Sequence, residues 1–583
     1  MKKGRIFAGI ATLLMAGGLL AGCGNQKQND ASSGKVSFPV SYSSKGKLKK
    51  GGTLKVGLVD ANPFKGVFVS ELCSDQPTTD AAQFGEQALI KTDENNKFID
   101  GGVANIKFDN NAKTATITIN PKAKWSDDQP VTSRDVEFTY EIIANKDSNS
   151  TNYTDDMDDI IGLKAYHEGK ASSISGLETP NDRTLIIHFK EMRPSMKTAG
   201  NSYIVPDAQP YHYLKDIPIS KLASSDRVRT KPLFYGPFKI KKIVQGESIE
   251  WVPNPYYWGK KPNLNKIDLQ TVSPSQAAAA LKAKKYDILL EEPASVYGQT
   301  KNLSGYTTVG QKENAFTYLG FKVGHADANG NSVMNPNAIT QNRSLRLALA
   351  YAMNIDQVDK KLGNGVTYRA NTVLPDSYKE YHDNSLKGFP YNLKKANELL
   401  DQAGFKKGKD GYRTQPNGKK LTLTLMAHQG DSNTEAVVQD YIQQWKKIGI
   451  RVKLYNGRLQ EFNTFNDKLL NDASGYDMWL GGWATGTDPD PSGLYAASAP
   501  YNYGHFVTQE NTDLLNAINS PQALNDSYRK QQFYKWQAYM NKEAYVVPLS
   551  YDYQTVPVSN KVKNFTLDNE KSYTVWENVG LTN

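Results

Sequence analysis

The sequence has 583 residues, of which 39% are hydrophobic and 22% are charged, and its formal net charge is +10. A chain of this length exceeds what one hydrophobic core can organise, so we expect two or three domains. Its two cysteines exclude the small, disulfide-rich secreted classes. Lys and Arg are interleaved with 60 acidic residues, and no RNA- or DNA-binding module is recognisable, so we predict no nucleic-acid partner.

The N-terminus has the layout of a secretory signal. Basic residues precede an apolar stretch over residues 6–20, and small residues then lead directly to Cys23. This order resembles the lipobox of bacterial lipoproteins, in which diacylglycerol is attached to the cysteine thiol. We predict a signal peptide over 1–22 and lipid attachment at Cys23; an ordinary signal peptide with an unrelated cysteine is the alternative. A transmembrane span is disfavoured because the apolar run is short and contains glycines.

The stretch after Cys23 is rich in Asn, Gln, Ser, Gly and Lys and has almost nothing to bury. We predict that residues 23–50 form a lipidated, disordered tether with a root-mean-square reach of about 30 Å. Two acyl chains anchor a protein stably, whereas a single chain anchors it only marginally. The sequence therefore predicts a protein held on the outer face of the cell membrane, of the Gram-positive type.

The body that follows shows alternating strand patterns and helical patterns. Residues 53–58 and 114–119 alternate between apolar and polar side chains, which is typical of strands. Between 421 and 454 a strand pattern, a helical pattern ending at Gly449 and a second strand pattern follow one another. This order predicts a βαβ unit with parallel pairing, and hence an α/β fold.

Two further helices are predicted in the same half of the chain. One spans residues 392–403, with Asn392 as its N-cap and Gly404 directly after its end. The other spans residues 343–353, where apolar residues recur at helical spacing. We therefore expect a soluble α/β body made of several lobes.

Motifs of catalysis and of cofactor binding are absent from the sequence. The seven histidines are scattered without metal-ligand spacing, and neither a nucleophile elbow nor a phosphate-binding loop is present. We therefore predict no enzymatic activity, no cofactor and no metal. Paired acids such as Asp155 and Asp156 would suit a hydrolase only if carboxylates converge in space, so a lipoprotein hydrolase remains a remote alternative.

Several segments, in order along the chain, carry short motifs. The clearest begins with a Trp-Ser-Asp turn at Trp125 and continues into a helix. The segments are 124–140, 235–239, 254–259, 281–287, 343–356, 392–405 and 476–483 followed by Asp488-Pro489. In this order they resemble the oligopeptide-binding proteins of ABC importers, the OppA-like members of family 5 of the extracellular solute-binding proteins. Asp128 stands where this family usually has glycine.

This resemblance implies a two-lobed fold of the periplasmic-binding-protein type (type II, cluster C) with an extra subdomain inserted in the first lobe. A hinge would join the two lobes, and the ligand would lie between them. The implied divisions are lobe I over 51–90, 234–318 and 546–583, the inserted subdomain over 91–233, and lobe II over 319–545.

The same resemblance implies a function. The protein would be a monomer that captures oligopeptides and presents them to the permease and ATPase subunits of an ABC importer, which are other chains. A peptide-pheromone receptor remains an alternative role on the same fold. So does a binding protein for an oligosaccharide or a metal chelate.

The resemblance also suggests which residues contact a peptide. Many relatives carry an aspartate three residues after the tryptophan that corresponds to Trp483, where it pairs with the amino terminus of the peptide. This sequence has Gly486 at that position, so Asp488 or Asp490 is the candidate replacement; a rigid turn is the alternative for this Asp-Pro-Asp-Pro stretch. We expect Trp479 to be a core residue.

A second candidate contact lies early in lobe I, in the segment 64–80 that pairs with peptide backbone in relatives. Val69, Ser70 and Glu71 are its candidate residues. We expect Cys73, which lies just beyond them, to be an inert buried thiol.

Overall fold

The computed structural model describes residues 37–60, 62–328, 330–430 and 433–583. The predicted signal peptide, Cys23 and the first part of the predicted tether lie outside these ranges. Within the ranges, none of the helices combines the length and the apolar character needed to cross a bilayer.

Strands form one large mixed sheet and five small sheets in the described part of the chain. They are β1 (Ser41–Tyr42), β2 (Leu48–Lys49), β3 (Thr53–Val59), β4 (Lys91–Thr92), β5 (Phe98–Ile99), β6 (Ala104–Asp109), β7 (Thr114–Ile119), β8 (Leu177–Asn181), β9 (Thr184–His188), β10 (Phe238–Val244), β11 (Ser248–Pro253), β12 (Lys266–Val272), β13 (Ile288–Leu290), β14 (Tyr306–Phe321), β15 (Gly324–Ala326), β16 (Ser332–Met334), β17 (Thr367–Arg369), β18 (Leu423–Met426), β19 (Val452–Leu454), β20 (Met478–Ala484), β21 (Val546–Ser559), β22 (Val562–Lys563), β23 (Phe565–Thr566) and β24 (Gly580–Thr582).

Helices are distributed along the whole described chain, and many are only one or two turns long. They are α1 (Gln76–Ala82), α2 (Ser133–Ala144), α3 (Leu163–His167), α4 (Tyr211–Leu214), α5 (Ile219–Leu222), α6 (Asp226–Arg229), α7 (Pro274–Lys282), α8 (Ala294–Thr300), α9 (Arg343–Tyr351), α10 (Ile355–Leu362), α11 (Leu393–Gln402), α12 (Thr434–Lys447), α13 (Phe462–Leu470), α14 (Ser492–Tyr495), α15 (Gln509–Asn519), α16 (Asp526–Glu543), α17 (Asn569–Ser572) and α18 (Val575–Asn578).

The large sheet connects two lobes through its two longest strands. Its order is β10-β11-β12-β3-β13-β21-β14-β20-β18-β19, with β17 added on β21. The strands before β21 in this order belong to lobe I, and those after β14 belong to lobe II. Strands β14 and β21 pair antiparallel and extend into both lobes.

The ladder between these two long strands is interrupted where they pass from one lobe to the other. Pairing is regular from Tyr306 opposite Ser559 to Lys312 opposite Tyr553, and it then shifts register before Phe316. Such an irregularity bends a strand and removes backbone hydrogen bonds that would resist bending. The crossing region therefore has the local structure expected of a hinge.

The βαβ unit predicted in the second half of the chain is confirmed. Strands β18 and β19 are parallel, with Leu423 opposite Val452, and α12 connects them. Gly449 has a φ of +79°, as expected for a glycine that ends a helix. The predicted cap of α11 is also present, because the Asn392 side chain accepts a hydrogen bond from the backbone N–H of Lys395.

The inserted subdomain is a four-stranded antiparallel sheet, β6-β7-β9-β8, covered by α2. The Trp-Ser-Asp turn leads into this helix. Asp128 has a φ of +78°, a left-handed conformation that explains why glycine is usual at this position and why aspartate is tolerated. Asp135 in the first turn of α2 receives hydrogen bonds from the Thr132 backbone N–H (2.8 Å) and from Trp125 Nε1 (3.2 Å). The turn, the cap and the core of the subdomain are thus one connected structure.

The end of the predicted tether needs a correction. Disorder was expected through residue 50, yet β1 pairs with β23 and β2 pairs with β24. Phe38 packs against Tyr297 and Tyr553, and the backbone N–H of Gly310 donates to the Pro39 carbonyl oxygen at 3.0 Å. The local composition is polar, but backbone pairing with strands more than 500 residues later orders this segment. Residues 38–50 are therefore part of the folded body and not of a disordered tether.

Three apolar cores correspond to lobe I, the inserted subdomain and lobe II. A buried tryptophan lies in each of them: Trp251 in lobe I, Trp125 in the inserted subdomain and Trp445 in lobe II. Trp479 is only 2% exposed and belongs to the lobe II core, which confirms its predicted core position. Cys73 is partly buried, and this burial raises the pKa of its thiol.

Candidate functional site

The cleft between the lobes is framed by the carboxyl ends of parallel strands. In lobe I, β3 runs parallel to β12 and to β13, and Asp60 and Glu291 follow the ends of β3 and β13. In lobe II, β18 runs parallel to β19 and to β20, which ends at Ala484. Ligands of open α/β sheets bind beyond the carboxyl ends of the strands, so this cleft is the candidate site.

An aromatic cluster lies near the end of β20 in lobe II. The Trp483 ring stacks on Tyr503 (centroids 5.5 Å apart) and on Tyr318 (6.1 Å), and it meets the edge of Tyr501 (5.4 Å). Trp483 and Tyr501 are partly exposed, whereas Tyr318 and Tyr503 are buried. The buried tyrosines hold the exposed rings in place, so the cluster presents a rigid aromatic surface that can pack against apolar groups of many shapes.

The loop after β20 contains Gly486, the position at which the resemblance led us to look for an aspartate. Gly486 has a φ of +71°, a conformation that favours glycine, and a Cβ added there would meet no atom within 4 Å. Its carbonyl oxygen accepts hydrogen bonds from Asn314 Nδ2 and from the Tyr378 hydroxyl. Space for a side chain exists at this position, and its backbone conformation is one that glycine adopts freely and that aspartate adopts at Asp128.

Asp488 lies in a contact between lobe II and the inserted subdomain. Its carboxylate accepts a hydrogen bond from the Ser195 hydroxyl (3.2 Å) and is 3.9 Å from Arg529 Nη2, which itself donates to the Ser195 oxygen at 3.0 Å. Burial is the main reason that the pKa of Asp488 is raised to about 7. Asp488 therefore connects the two parts of the protein across the cleft.

Asp490 makes its contacts within lobe II. Its two carboxylate oxygens accept hydrogen bonds from Asn519 Nδ2 (2.6 Å) and from the Ser492 backbone N–H (2.9 Å) at the start of α14. These bonds are those expected of a residue that fixes a turn.

The three candidate residues of lobe I have different environments. The Val69 side chain is buried in an apolar cluster with residues of the inserted subdomain, including Phe138. The Ser70 hydroxyl lies 3.0 Å from a carboxylate oxygen of Glu71 and 3.0 Å from one of Asp207. Glu71 is buried and accepts a hydrogen bond from Gln209 Nε2 at 2.7 Å. Ser70 and Glu71 thus belong to a polar network, whereas Val69 is a packing residue.

Three carboxylates, Glu71, Glu86 and Asp207, form what we call the acid trio. Burial and the charge of Asp207 raise the pKa of Glu71 to about 8, and burial raises the pKa of Asp207 to about 6. The pKa of Glu86 is raised well above its usual value by burial and by the charges of Asp207 and Glu71. No local motif marks these residues, because the fold brings together three distant chain segments.

A second group of carboxylates lies at the crossing of β14 and β21. Burial and the charge of Glu291 raise the pKa of Glu313 to about 7. Burial and the charges of Glu313 and Asp359 raise the pKa of Asp552 well above its usual value. The region of the cleft is therefore acidic, although the whole chain is basic.

One cluster has the residue types of a hydrolytic triad. Ser332 Oγ is 3.1 Å from His505 Nδ1, and His505 Nε2 is 3.1 Å from an Asp472 carboxylate oxygen. Asp472 is already paired with Lys322 Nζ at 2.6 Å and accepts the Ala326 backbone N–H, and burial lowers the pKa of His505. We interpret this cluster as the support of the β15–β16 hairpin. In the described ranges, no three His, Cys, Asp or Glu side chains are grouped so that they could hold a metal ion.

The sequence profile of the bacterial extracellular solute-binding proteins, family 5, matches residues 102–505. The chain belongs to this family. The resemblance noted from the motifs is therefore confirmed, and so is the two-lobed α/β fold that it implied.

Individual relatives of this solute-binding protein cover nearly its whole length. It is 42% identical to the oligopeptide-binding protein OppA of Lactococcus lactis subsp. cremoris (strain SK11), over 100% of this chain and 99% of that protein. It is 24% identical to the oligopeptide-binding protein AppA of Bacillus subtilis (strain 168), over 93% of this chain and 92% of that protein.

Solved structures show the same fold. Lactococcal OppA complexed with an endogenous peptide in the closed conformation is 42% identical, with a TM-score of 0.79, and the match covers 91% of this chain and 100% of that one. AppA of Bacillus subtilis in complex with a nonapeptide is 22% identical, with a TM-score of 0.69 over 92% of this chain and 100% of that one, which supports the fold alone.

Proposed function

We propose that this solute-binding protein captures oligopeptides between its two lobes and delivers them to the membrane permease of an ABC importer. The observation that carries this proposal is the 42% identity, over the full length, with an oligopeptide-binding protein. The protein binds without catalysis, and the permease and ATPase subunits are other chains. It acts as a monomer on the extracellular side.

The geometry of the cleft supports this ligand class. Strand ends from both lobes offer backbone donors and acceptors that an extended peptide can pair with, independently of its sequence. The aromatic surface around Trp483 accepts varied apolar side chains. Because the Gly486 position lacks the amine clamp, the end of the peptide need not be fixed at that point, which suits longer peptides.

The chain passes from one lobe to the other where the hydrogen-bond ladder between β14 and β21 is interrupted. We place the hinge at residues 312–316 of β14 and 551–553 of β21, a few residues from the implied divisions 318/319 and 545/546. The contacts of Asp488 and Arg529 with Ser195 then form on closure, because they join lobe II to the inserted subdomain.

Native mass spectrometry of the protein, purified without refolding, tests the ligand class. We expect co-purified masses that fragment into peptides of mixed sequence. A bound oligosaccharide or metal chelate would contradict the proposal, and a single defined peptide would favour a pheromone receptor.

We also propose that Cys23 carries the lipid anchor on a Gram-positive type of cell surface. Replacing Cys23 with alanine should release the protein from the membrane and lower peptide uptake by cells, because the receptor no longer stays near its permease. Peptide affinity, measured by calorimetry on the purified variant, should remain unchanged. A loss of affinity would show that the N-terminal region takes part in binding, against this division of roles.

A further inference from the structure

A cavity of about 380 Å³ lies between lobe I, the inserted subdomain and the loop after β20. Its walls are largely apolar and include Phe98, Ile204, Val205 and Trp576, and Thr487 of lobe II closes one side. This volume is many times the roughly 30 Å³ that one water molecule occupies in the liquid. The cavity is therefore large enough for a long side chain of a bound peptide.

Glu86 is the one carboxylate among the described residues that line this cavity. None of the described residues donates a hydrogen bond to its side chain, and no positively charged group is among the causes of its altered pKa. Glu86 also lines a second cavity of about 20 Å³, together with Ser70 and Asp207. That space holds about one water molecule or one ammonium group. The wall of a largely apolar cavity thus contains one carboxylate to which no described residue donates a hydrogen bond.

Resting on the proposed function, we propose that the larger cavity is a subsite of the peptide cleft that takes a lysine or arginine side chain. The aliphatic stem packs on the apolar walls, and the cationic end meets Glu86, with Asp207 beside it. An uncharged side chain of the same length fills the cavity equally well but leaves the carboxylate without a cation. An acidic side chain finds no cation in this cavity and brings a further acid next to the acid trio, so it is disfavoured.

The chemistry recognised here is an organic cation at the end of an apolar stem. The free amino terminus of a peptide is a second source of such a cation, but it lacks the stem that the walls of the cavity fit. We therefore assign the subsite to the side chain. The experiment includes N-acetylated peptides to separate the two sources.

The test uses the full-length chain and oligopeptides of equal length in which each position in turn carries either lysine or norleucine. We expect the best lysine peptide to bind about tenfold more tightly than its norleucine counterpart in low-salt calorimetry, with the difference shrinking as salt is added. N-acetylation should leave this preference in place. Glu86→Gln should abolish the preference for lysine over norleucine, while the affinity for the norleucine peptide changes by less than about twofold.

Glu398→Gln is the matched control, because Glu398 is an exposed residue of α11 and its replacement removes the same charge away from the cavity. This variant should keep the full preference for lysine. Equal binding of lysine and norleucine peptides by the unmodified protein would overturn the subsite and leave oligopeptide binding intact. Loss of the preference on N-acetylation would assign the cation to the amino terminus, and an equal loss of both affinities in Glu86→Gln would make Glu86 a structural residue. Absence of all peptide binding would reject the proposed function itself.

Discussion

Replacing Arg529 with methionine is expected to weaken peptide binding by about tenfold at pH 8. Arg529 is 2% exposed and lies beside Asp488, and both contact Ser195 of the inserted subdomain. Without the guanidinium, closure buries the Asp488 carboxylate beside no cation. A broken buried pair costs about 3–5 kcal/mol, but protonation limits the cost at pH 8 to about 1.4 kcal/mol, because the pKa of Asp488 is already about 7.

Calorimetry at pH 8 measures this loss, and two variants serve as controls. Adding Asp488→Asn to Arg529→Met should restore most of the affinity, because no buried charge remains. Ser195→Ala alone should cost only about 1 kcal/mol, the usual net value of one hydrogen bond. The defect of Arg529→Met should also shrink at pH 6, where Asp488 is protonated. If Arg529→Met destabilises the unliganded protein as much as the complex, the contact of Asp488 and Arg529 with Ser195 does not depend on closure, and this would contradict the prediction.

Replacing Glu292 with glutamine is expected to stabilise the protein by up to about 3 kcal/mol at pH 8 and by less than about 1 kcal/mol at pH 5. Glu292 is buried, and its two carboxylate oxygens accept hydrogen bonds from the Thr300 (2.7 Å) and Thr555 (3.0 Å) hydroxyls. A glutamine can accept one of these bonds through its oxygen and donate its amide N–H to the other hydroxyl. Burial raises the pKa of Glu292 from its usual 4.5 to about 7. Each pKa unit corresponds to about 1.4 kcal/mol.

The sign of this effect follows from proton linkage. The unfolded chain releases the Glu292 proton near pH 4.5, whereas the folded protein keeps it up to about pH 7. The contribution of Glu292 to the free energy of unfolding is therefore fully present below about pH 4.5 and is lost as the pH rises through about 7. Urea unfolding at both pH values measures the free energy of unfolding, with Glu398→Gln as the exposed control. An equal change at pH 5 and at pH 8 would show that packing, and not ionisation, decides the outcome.

Other buried acids act in the same direction. The pKa values of Asp359 and Glu313 are raised to about 7, and that of Glu71 to about 8, in each case mainly by burial. All of them favour the folded state at mildly acidic pH. The same urea series on the unmodified protein should therefore show higher stability at pH 5 than at pH 8.

Local patterns in the sequence determined a large part of this structure. The βαβ unit around α12, the cap of α11 at Asn392 and the core position of Trp479 depend on residues close together in the chain. The family could be recognised for the same reason, because its motifs are short turns and caps such as the one at Asp128. These features follow from backbone conformation and side-chain period, which the sequence displays directly.

Tertiary structure alone decided the rest. The acid trio joins residues 71, 86 and 207, and the contact of Asp488 joins residues 195 and 529, so no local window contains either set. The segment near Phe38 looked disordered because its order comes from strands at the other end of the chain. Burial and charge at such places depend on which distant segments the fold brings together. The sequence by itself thus determined what kind of protein this is, whereas the fold decided which of its side chains meet in the cleft.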